Sequence, residues 1–171
     1  MKGGHIEVRR FAAEDAESFR EIRLEALRSA PEAFGSTFEA EDGHALEWFA
    51  ERMNNGNMFG AFRGTRVVGM AGLLVERGLK EAHKGMLVSM YVRPEGRRHG
   101  IGRVLVEAVI EFARGRVELV RLAVVSDNES ARRLYEQMGF VEYGLEKKSL
   151  KQNGRYYDEV LMVKDLTAGS D

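Results

Sequence analysis

The chain has 171 residues, about the size of one domain, and is too short for two ordinary hydrophobic cores. Its 26 basic and 27 acidic residues give a net charge of −1, which argues against a general nucleic-acid binder. The lack of cysteine excludes thiol catalysis, disulfides and cysteine-ligated metal sites. No secretory signal and no apolar run of about 18 residues is visible. We therefore expect one cytoplasmic domain over residues 1–171, with a frayed tail at 167–171.

Apolar periodicity in the first half of the chain predicts a strand, two helices and a hairpin. Pro31 is expected to end the first helix, and the stretch 32–43, which has no period, is typical of a loop. Gly64 comes first in a two-residue connection and favours a type II′ turn. The predicted elements are a strand at 5–10, a helix from about 15 to 30, a helix at 45–53, and strands at 58–63 and 66–75.

The second half of the chain predicts two further helices that alternate with strands. The second of these helices is expected to begin with a capping box of Ser126 and Glu129 and to end before Gly139. Asn153-Gly154 predicts a type I′ hairpin. The predicted elements are a strand at 86–92, a helix at 101–112, a strand at 118–125, a helix that includes 131–138, and strands at 141–150 and 155–163. The helix at 101–112 is expected to bury a face formed by Ile101, Val104, Leu105, Ala108, Val109 and Phe112.

The predicted order is β-α-α-β-β-β-α-β-α-β-β. Such an order is typical of a mixed α/β (α+β) domain, in which helices cover both faces of one sheet. No internal repeat or low-complexity segment interrupts it.

A loop rich in glycine and arginine connects a predicted buried strand to a strongly amphipathic helix. Gly100 and Gly102 lack a Cβ atom and let backbone amides approach a ligand closely. A helix start leaves N–H donors free and carries the positive end of the helix dipole, so it favours anions. The charged residues here are Arg93, Arg97, Arg98, His99 and Arg103, beside the single acid Glu95. The segment predicts a site for a polyanion; the alternative is a capped helix with a solvated basic start.

Two common phosphate-binding motifs do not fit this loop. The Walker pattern needs a Lys-Ser or Lys-Thr pair after a glycine, and neither glycine precedes one. The dinucleotide fingerprint needs a third small residue where Leu105 stands, and it belongs to a first βαβ unit. Nucleotide hydrolases and dehydrogenases are therefore not favoured.

Two blocks of the sequence carry the pattern of a known family. The first is Arg97-Arg98-His99-Gly100-Ile101-Gly102, and the second runs from Asn128 to Phe140. They resemble the [Q/R]-x-x-G-x-[G/A] and N-x-x-A-x-x-L-Y-x-x-x-G-F segments of the GNAT superfamily, which are acetyl-CoA-dependent N-acetyltransferases. The resemblance implies a mostly antiparallel sheet of about seven strands, splayed in the middle, with acetyl-CoA between the fourth and fifth strands. It also implies that acetyl is transferred to a primary amine.

The resemblance further implies which residues bind the co-substrate. Backbone groups of Met90, Tyr91 and Val92 would pair with the pantetheine amides, and Asn128 would bond the pantetheine arm. Tyr135 would protonate the departing thiolate, because a phenol with a pKa near 10 keeps its proton at neutral pH; the alternative is a core aromatic side chain. The pyrophosphate would be held by Arg97, Arg98, His99, Gly100, Ile101, Gly102 and Arg103.

The sequence departs from the family at the general base. Many relatives carry a glutamate in the strand before the loop, whereas the strand at 86–92 has no carboxylate and Ser89 is too weak a base. A water relay, or capture of an already neutral amine, is equally open. The candidates elsewhere are Glu76, Glu81, His83, Asp158 and Glu159, each of which is otherwise an ordinary surface charge.

The resemblance also implies that the acceptor pocket lies at the first two helices and the loop that joins them, with the last hairpin on its other side. Phe34, Phe38 and Trp48 are candidates for an apolar wall, with Tyr156 on the opposite side. The acids expected to attract a cation are Glu32, Glu39, Glu41 and Asp42. The alternative is a solvated loop whose aromatic side chains pack into the core. The spacing of the four histidines fits no metal site, so no metal is expected.

Together these features favour an enzyme that transfers acetyl directly, because a chain without cysteine cannot carry a cysteine-bound acetyl group. The alternatives are a catalytically silent acyl-CoA-binding module and a protein-interaction domain without a ligand. The expected partners are acetyl-CoA and an amine acceptor, without nucleic acid or membrane. The identity of the amine and the formation of a homodimer are left open.

Overall fold

The computed structural model describes residues 4–169, so residues 1–3 and the end of the predicted tail, 170 and 171, lie outside the described residues. The helices are α1 (Ala16–Ser29), α2 (Phe38–Glu41), α3 (Leu46–Asn55), α4 (Ile101–Ala113) and α5 (Glu129–Gln137). The strands are β1 (Ile6–Arg10), β2 (Phe59–Arg63), β3 (Arg66–Val75), β4 (Lys84–Val92), β5 (Leu119–Val125), β6 (Val141–Gln152) and β7 (Arg155–Asp165). Within residues 4–169, no helix is both long enough and apolar enough to cross a membrane.

All seven strands form one sheet in the order β1-β2-β3-β4-β5-β7-β6. Every neighbouring pair is antiparallel except β4 and β5, which are parallel. These two strands pair only from Lys84 with Leu119 to Met86 with Arg121, and they separate beyond that point. The predicted mixed sheet, mostly antiparallel and splayed in the middle, is confirmed.

Helices cover both faces of this sheet, because successive strand residues point to opposite sides. Met70 of β3 belongs to the apolar core beneath α1 and α3, and the adjacent Ala71 belongs to the core beneath α4 and α5. Ile22 and Phe49 are 0% exposed. Burial of side chains of this size contributes roughly 1.5–3 kcal/mol each, so the two cores hold the helices firmly on the sheet.

The backbone confirms two predicted hairpin turns and one predicted helix end. Asn153 and Gly154 have φ values of +48° and +78°, as a type I′ turn requires at both central positions. Gly64 has a φ of +61°, the sign that a type II′ turn requires at its first central position. Gly139 follows α5 with a φ of +89°, which is the usual conformation of a glycine that ends a helix.

Two predictions about helix starts are wrong. The stretch 32–43 is not all loop, because Thr37 caps α2 by accepting a hydrogen bond from a first-turn amide at 3.1 Å. The cap of α5 is Asn128 and not Ser126, since the Asn128 side chain accepts a hydrogen bond from a first-turn amide at 3.2 Å. In both helices a short polar side chain satisfies a free N–H group at the start.

The predicted buried face of α4 also needs a correction. Val104 is 37% exposed, whereas Val106 is fully buried. Both lie on an apolar helix, and only the packing against the sheet decides which neighbour of Leu105 faces inward. The strand before this helix begins at Lys84, two residues earlier than the apolar run indicates, because Lys84 and Gly85 pair with β5.

Candidate active site

The separation of β4 and β5 opens a cavity of about 940 Å³. Its walls come from α1, α3, β4, β5, α5, the segment before α2 and the start of β7. The predicted site residues that line it are Phe34, Met90, Asn128 and Tyr135. The polar and aromatic residues that join them include Arg23, Glu32, Ser36, Arg52, Ser89, Asp127, Arg155, Tyr157 and Glu159. The splay of the sheet therefore brings β4, α5 and the segment before α2 around one cavity.

The loop at residues 97–103, which we call the amide loop, presents a run of free amides at the start of α4. Within residues 4–169, no carbonyl or side chain accepts a hydrogen bond from the backbone amides of residues 98–103. Arg98 and Gly100 have φ values of +64° and +72°, and such left-handed residues turn successive amides toward one point. Together with the helix dipole, this arrangement favours a phosphate group.

Gly102 places the amide loop directly beside the cavity. A Cβ atom at this position would lie 3.1 Å from Cε of Met90 and 3.2 Å from Cδ2 of Leu134. The small residue therefore lets α4 begin in close contact with both β4 and α5. The amide loop itself does not line the cavity but adjoins it at Met90.

The sequence predicts one basic cluster around the amide loop, but the structure gives its side chains different partners. Arg93 is 2% exposed, and its buried guanidinium forms ion pairs with the more exposed carboxylates of Glu21 and Glu25 of α1, at 3.0 and 2.9 Å. It therefore cannot bind a ligand at the loop. Arg103 pairs with Glu107 at 3.0 Å. Arg97 donates to a backbone carbonyl of β4, and the exposed Arg98 and His99 form no ion pair with any residue in 4–169.

The part of β4 that lines the cavity is irregular at Ser89. The pairing with β3 skips a residue here, since Tyr91 pairs with Met70 whereas Val88 pairs with Gly72. Ser89 has a φ of +57°, which non-glycine residues seldom adopt. Such a bulge leaves backbone groups without a partner in the sheet. Ser89 and Met90 line the cavity and belong to the part of β4 that has no partner in β5.

Asn128, which caps α5, and Tyr135, within α5, both line this cavity. Tyr135 is 5% exposed, and its ring packs edge-to-face on Phe140 at 5.8 Å. Burial raises the pKa of the Tyr135 phenol above its usual value of 10. Within residues 4–169, no group accepts a hydrogen bond from the hydroxyl. The oxygen of Asn128 caps the helix, so its NH₂ group is the part that remains free.

Of the five predicted candidates for the general base, Glu159 is the one that lines the cavity. The Ser149 hydroxyl donates a hydrogen bond to its carboxylate. The others are engaged or face elsewhere: Glu76 pairs with Arg121, Glu81 pairs with Lys84, Asp158 accepts from the Lys148 amide, and His83 lines a different hollow. Within residues 4–169, no group of three or more metal-binding side chains is positioned to hold a metal ion.

The aromatic side chains expected at the acceptor pocket are divided by the fold. Phe34 lines the cavity, whereas Phe38 lies under the Arg28 guanidinium at 4.2 Å and Trp48 stacks on His44 at 4.1 Å. Tyr156 also lies outside the lining and contacts two lysines of the hairpin. The adjacent Tyr157 lines the cavity instead, because alternate strand residues face opposite sides.

The expected acidic cluster is likewise divided, by an arginine that the sequence analysis missed. Glu41 is 2% exposed and accepts two hydrogen bonds from Arg23, at 2.9 and 2.8 Å. Burial by itself raises the pKa of Glu41, but Arg23, with smaller contributions from Ser36 and Arg52, more than offsets this effect and holds the pKa below its usual value. Glu32 stays in the cavity wall. The available signal was that Arg23 falls on the apolar stripe of α1.

The chain matches the sequence model of the acetyltransferase (GNAT) family over residues 17–140. It is 26% identical over 141 residues to the uncharacterized N-acetyltransferase YoaA of Bacillus subtilis, a match that covers 79% of this chain and 73% of YoaA. It is 35% identical over 95 residues to the N-alpha-acetyltransferase RimI of Mycobacterium tuberculosis, covering 56% of this chain and 58% of RimI.

Solved structures show the same fold. A GNAT-family acetyltransferase from Streptococcus pneumoniae superposes with a TM-score of 0.84 at 21% identity, covering 95% of this chain and 100% of that one. The yncA protein of Salmonella typhimurium, solved with its cofactor acetyl-CoA, gives a TM-score of 0.82 at 21% identity, covering 95% and 94%. With the family match over most of the chain, this protein belongs to the GNAT family of acetyltransferases.

Proposed function

We propose that this protein transfers the acetyl group of acetyl-CoA directly to a primary amine in a ternary complex, as one domain over residues 1–171. The observation that carries the proposal is that a run of free amides adjoins, and a buried phenol lines, the cavity between β4 and β5. The acetyl-CoA in the yncA structure, on a similar fold, supports the choice of co-substrate.

The residues present fit acetyl-CoA along this opening. The free amides of residues 98–103 would bind the pyrophosphate, which needs several N–H donors. The unpaired edge of β4, including Met90, would pair with the pantetheine amides. The free NH₂ group of Asn128 would donate to a pantetheine carbonyl. When bound, acetyl-CoA supplies an activated thioester as the acetyl donor.

Tyr135 serves as the general acid in this proposal. Tyr135 lines the cavity, its hydroxyl has no acceptor among residues 4–169, and burial raises its pKa and keeps it protonated. It can therefore donate its proton to the departing thiolate, which would otherwise leave as an anion in a poorly solvated site. Backbone N–H groups on the part of β4 that has no β5 partner, near Ser89, would stabilise the negative charge that develops on the carbonyl oxygen.

Glu159 is the carboxylate placed to accept a proton from the acceptor ammonium, directly or through a water molecule. It lines the cavity, and Ser149 fixes its orientation. Glu32 adds a second negative charge to the wall and favours a cationic acceptor. RimI is named an N-alpha-acetyltransferase, so the α-amine of a peptide is one acceptor class to test.

The test is release of the CoA thiol from acetyl-CoA over a panel of amines: peptides with free α-amines, lysine peptides, amino acids, polyamines and aminoglycosides. Amine-dependent release, with the acetylated amine identified by mass, supports the proposal. Tight binding of acetyl-CoA without release for any amine would overturn it in favour of a silent acyl-CoA-binding module.

A further inference from the structure

A buried cluster connects α1, α2 and the irregular part of β4. The guanidinium of Arg23 donates to both carboxylate oxygens of Glu41 and, at 2.9 Å, to the hydroxyl of Ser89. The Arg23 and Glu41 side chains are only 5% and 3% exposed. All the guanidinium nitrogens are thus committed to these two partners.

The sheet does little to hold the backbone conformation of Ser89. It lies in the bulge, it has no partner in β5, and it has a φ of +57°. Residues in such conformations persist only when surrounding contacts impose them. Among residues 4–169, Arg23 is the side chain that forms a hydrogen bond with the Ser89 hydroxyl. This bond is charge-assisted and therefore strong.

Arg23 also contacts the acceptor side of the cavity. Its guanidinium lies 5.3 Å from the centre of the Phe34 ring, and Glu41 follows the same segment of chain. Arg23, Phe34 and Ser89 all line the cavity. One side chain therefore connects the wall expected to receive the amine with the strand expected to receive the thioester.

We propose that Arg23 is a positioning residue, which acts through the hydroxyl of Ser89 to hold the β4 bulge in the conformation that orients the thioester toward the amine. This inference rests on the proposed acetyl transfer and assigns no proton transfer to Arg23. Since misplacement of reacting atoms by about 1 Å costs roughly 100-fold in rate, loss of this bond should lower kcat and not acetyl-CoA affinity.

The first variant is Ser89→Ala, which removes the hydroxyl and leaves the buried Arg23–Glu41 pair in place. We expect kcat to fall roughly 10- to 100-fold, with the Kd for acetyl-CoA and the Tm little changed. Faster hydrogen exchange at the amide of Tyr91, which pairs with Met70 of β3 directly after the bulge, is the structural readout. An unchanged kcat overturns the proposal.

The second variant is the double substitution Arg23→Met with Glu41→Leu. Replacing both partners of a buried ion pair by apolar residues avoids an unpaired buried charge, so the fold should be retained. The kcat should fall as far as in Ser89→Ala. Adding Ser89→Ala to this double variant should lower kcat no further, because the contact is already absent. Full additivity of the two losses would show independent roles and overturn the proposal.

The matched control is Arg9→Gln with Asp15→Asn. Arg9 also donates twice to a carboxylate beside α1, at 2.7 and 3.2 Å, but neither residue lines the cavity. This variant should keep the kcat of the wild type, and an equal fall would reveal a general effect of loosening α1. If the wild type releases no thiol with any amine, the proposed function itself fails. An active wild type with unaffected Ser89→Ala refutes only the role of Arg23.

Discussion

Met86 and Arg121 are the last residues to pair between β4 and β5. Beyond them the facing edges of β4 and β5 have no hydrogen-bonding partner, and residues of both strands line the cavity. Exposed strand edges invite pairing with an added chain of peptide groups. Pantetheine contains two such amides, which is why the end of the pairing at Met86 marks where the co-substrate is expected.

Tyr135→Phe should lower turnover by roughly 10²–10⁴-fold, because the departing thiolate loses its proton donor. The Kd for acetyl-CoA should change little, since the ring and its packing on Phe140 remain. Thiol release and calorimetric titration measure the two quantities. Tyr143→Phe is the control, since that side chain is 53% exposed and lies outside the cavity lining. A Tyr135→Phe enzyme with normal turnover would remove Tyr135 as the acid.

The same phenol predicts a pH dependence. Burial raises the pKa of Tyr135 above 10, so the folded protein keeps this acid protonated throughout the neutral and mildly alkaline range. Comparing the ultraviolet titrations of the wild type and Tyr135→Phe isolates the tyrosinate signal of Tyr135. This signal should appear only above pH 10. Ionisation of Tyr135 below that pH would contradict the assignment, because the enzyme would then lose its proton donor as the amine becomes neutral.

Glu159→Gln tests the proposed base. The amide cannot accept a proton, so kcat should fall by roughly 10²–10⁴-fold at neutral pH. The loss should shrink at high pH, where the acceptor amine is already neutral. The matched control is Glu146→Gln, because Glu146 pairs with Glu159 across β6 and β7 but is exposed and outside the cavity lining. An equal effect of both variants would indicate a change in the hairpin and not the loss of a base.

Gly100→Glu should raise the Kd for acetyl-CoA by roughly 100-fold, because it places a carboxylate in the amide loop beside the expected pyrophosphate. Isothermal titration with CoA measures the change. Gly64→Glu is the control, because both glycines have positive φ values, +61° and +72°, and open space around an added Cβ atom. It controls for backbone strain. Undiminished CoA binding by Gly100→Glu would refute the role of the loop.

Gly102→Leu should destabilise the protein by about 1–3 kcal/mol, because the side chain would press against Met90 and Leu134. Urea unfolding measures the free energy of unfolding. Gly43→Leu is the control, since nothing lies within 4 Å of a Cβ atom there. Equal stabilities of the two variants would mean that the contact between α4, β4 and α5 can relax without cost.

Local patterns in the sequence were sufficient for most elements of the fold. Hairpins at Gly64 and Asn153-Gly154, and the glycine end of α5, follow from backbone conformations that few residues adopt, so they are encoded within a few positions. The caps were harder to place. Ser126, Asn128 and Thr37 are all good cap residues, and only the packing of each helix decides which one begins it.

Motif resemblance identified the family, the amide loop and Tyr135, because these depend on residues that are close together in the chain. The neighbouring arginines could not be sorted in the same way. Arg93 and Arg98 have the same charge, yet Arg93 pairs with Glu21 and Glu25, which are distant in sequence, whereas Arg98 is exposed. Sequence shows how many charges a segment carries but not which of them are neutralised.

By itself, then, the sequence determined the element order, the turns, the family and the loop that would bind phosphate, since each is a property of neighbouring residues. The tertiary structure decided where β4 and β5 part, that Glu159 and Tyr157 face the cavity while Asp158 and Tyr156 do not, and that Arg23 reaches both Glu41 and Ser89. These features depend on strand register and on contacts between distant residues, and a shift of one position along a strand turns a side chain to the opposite face of the sheet.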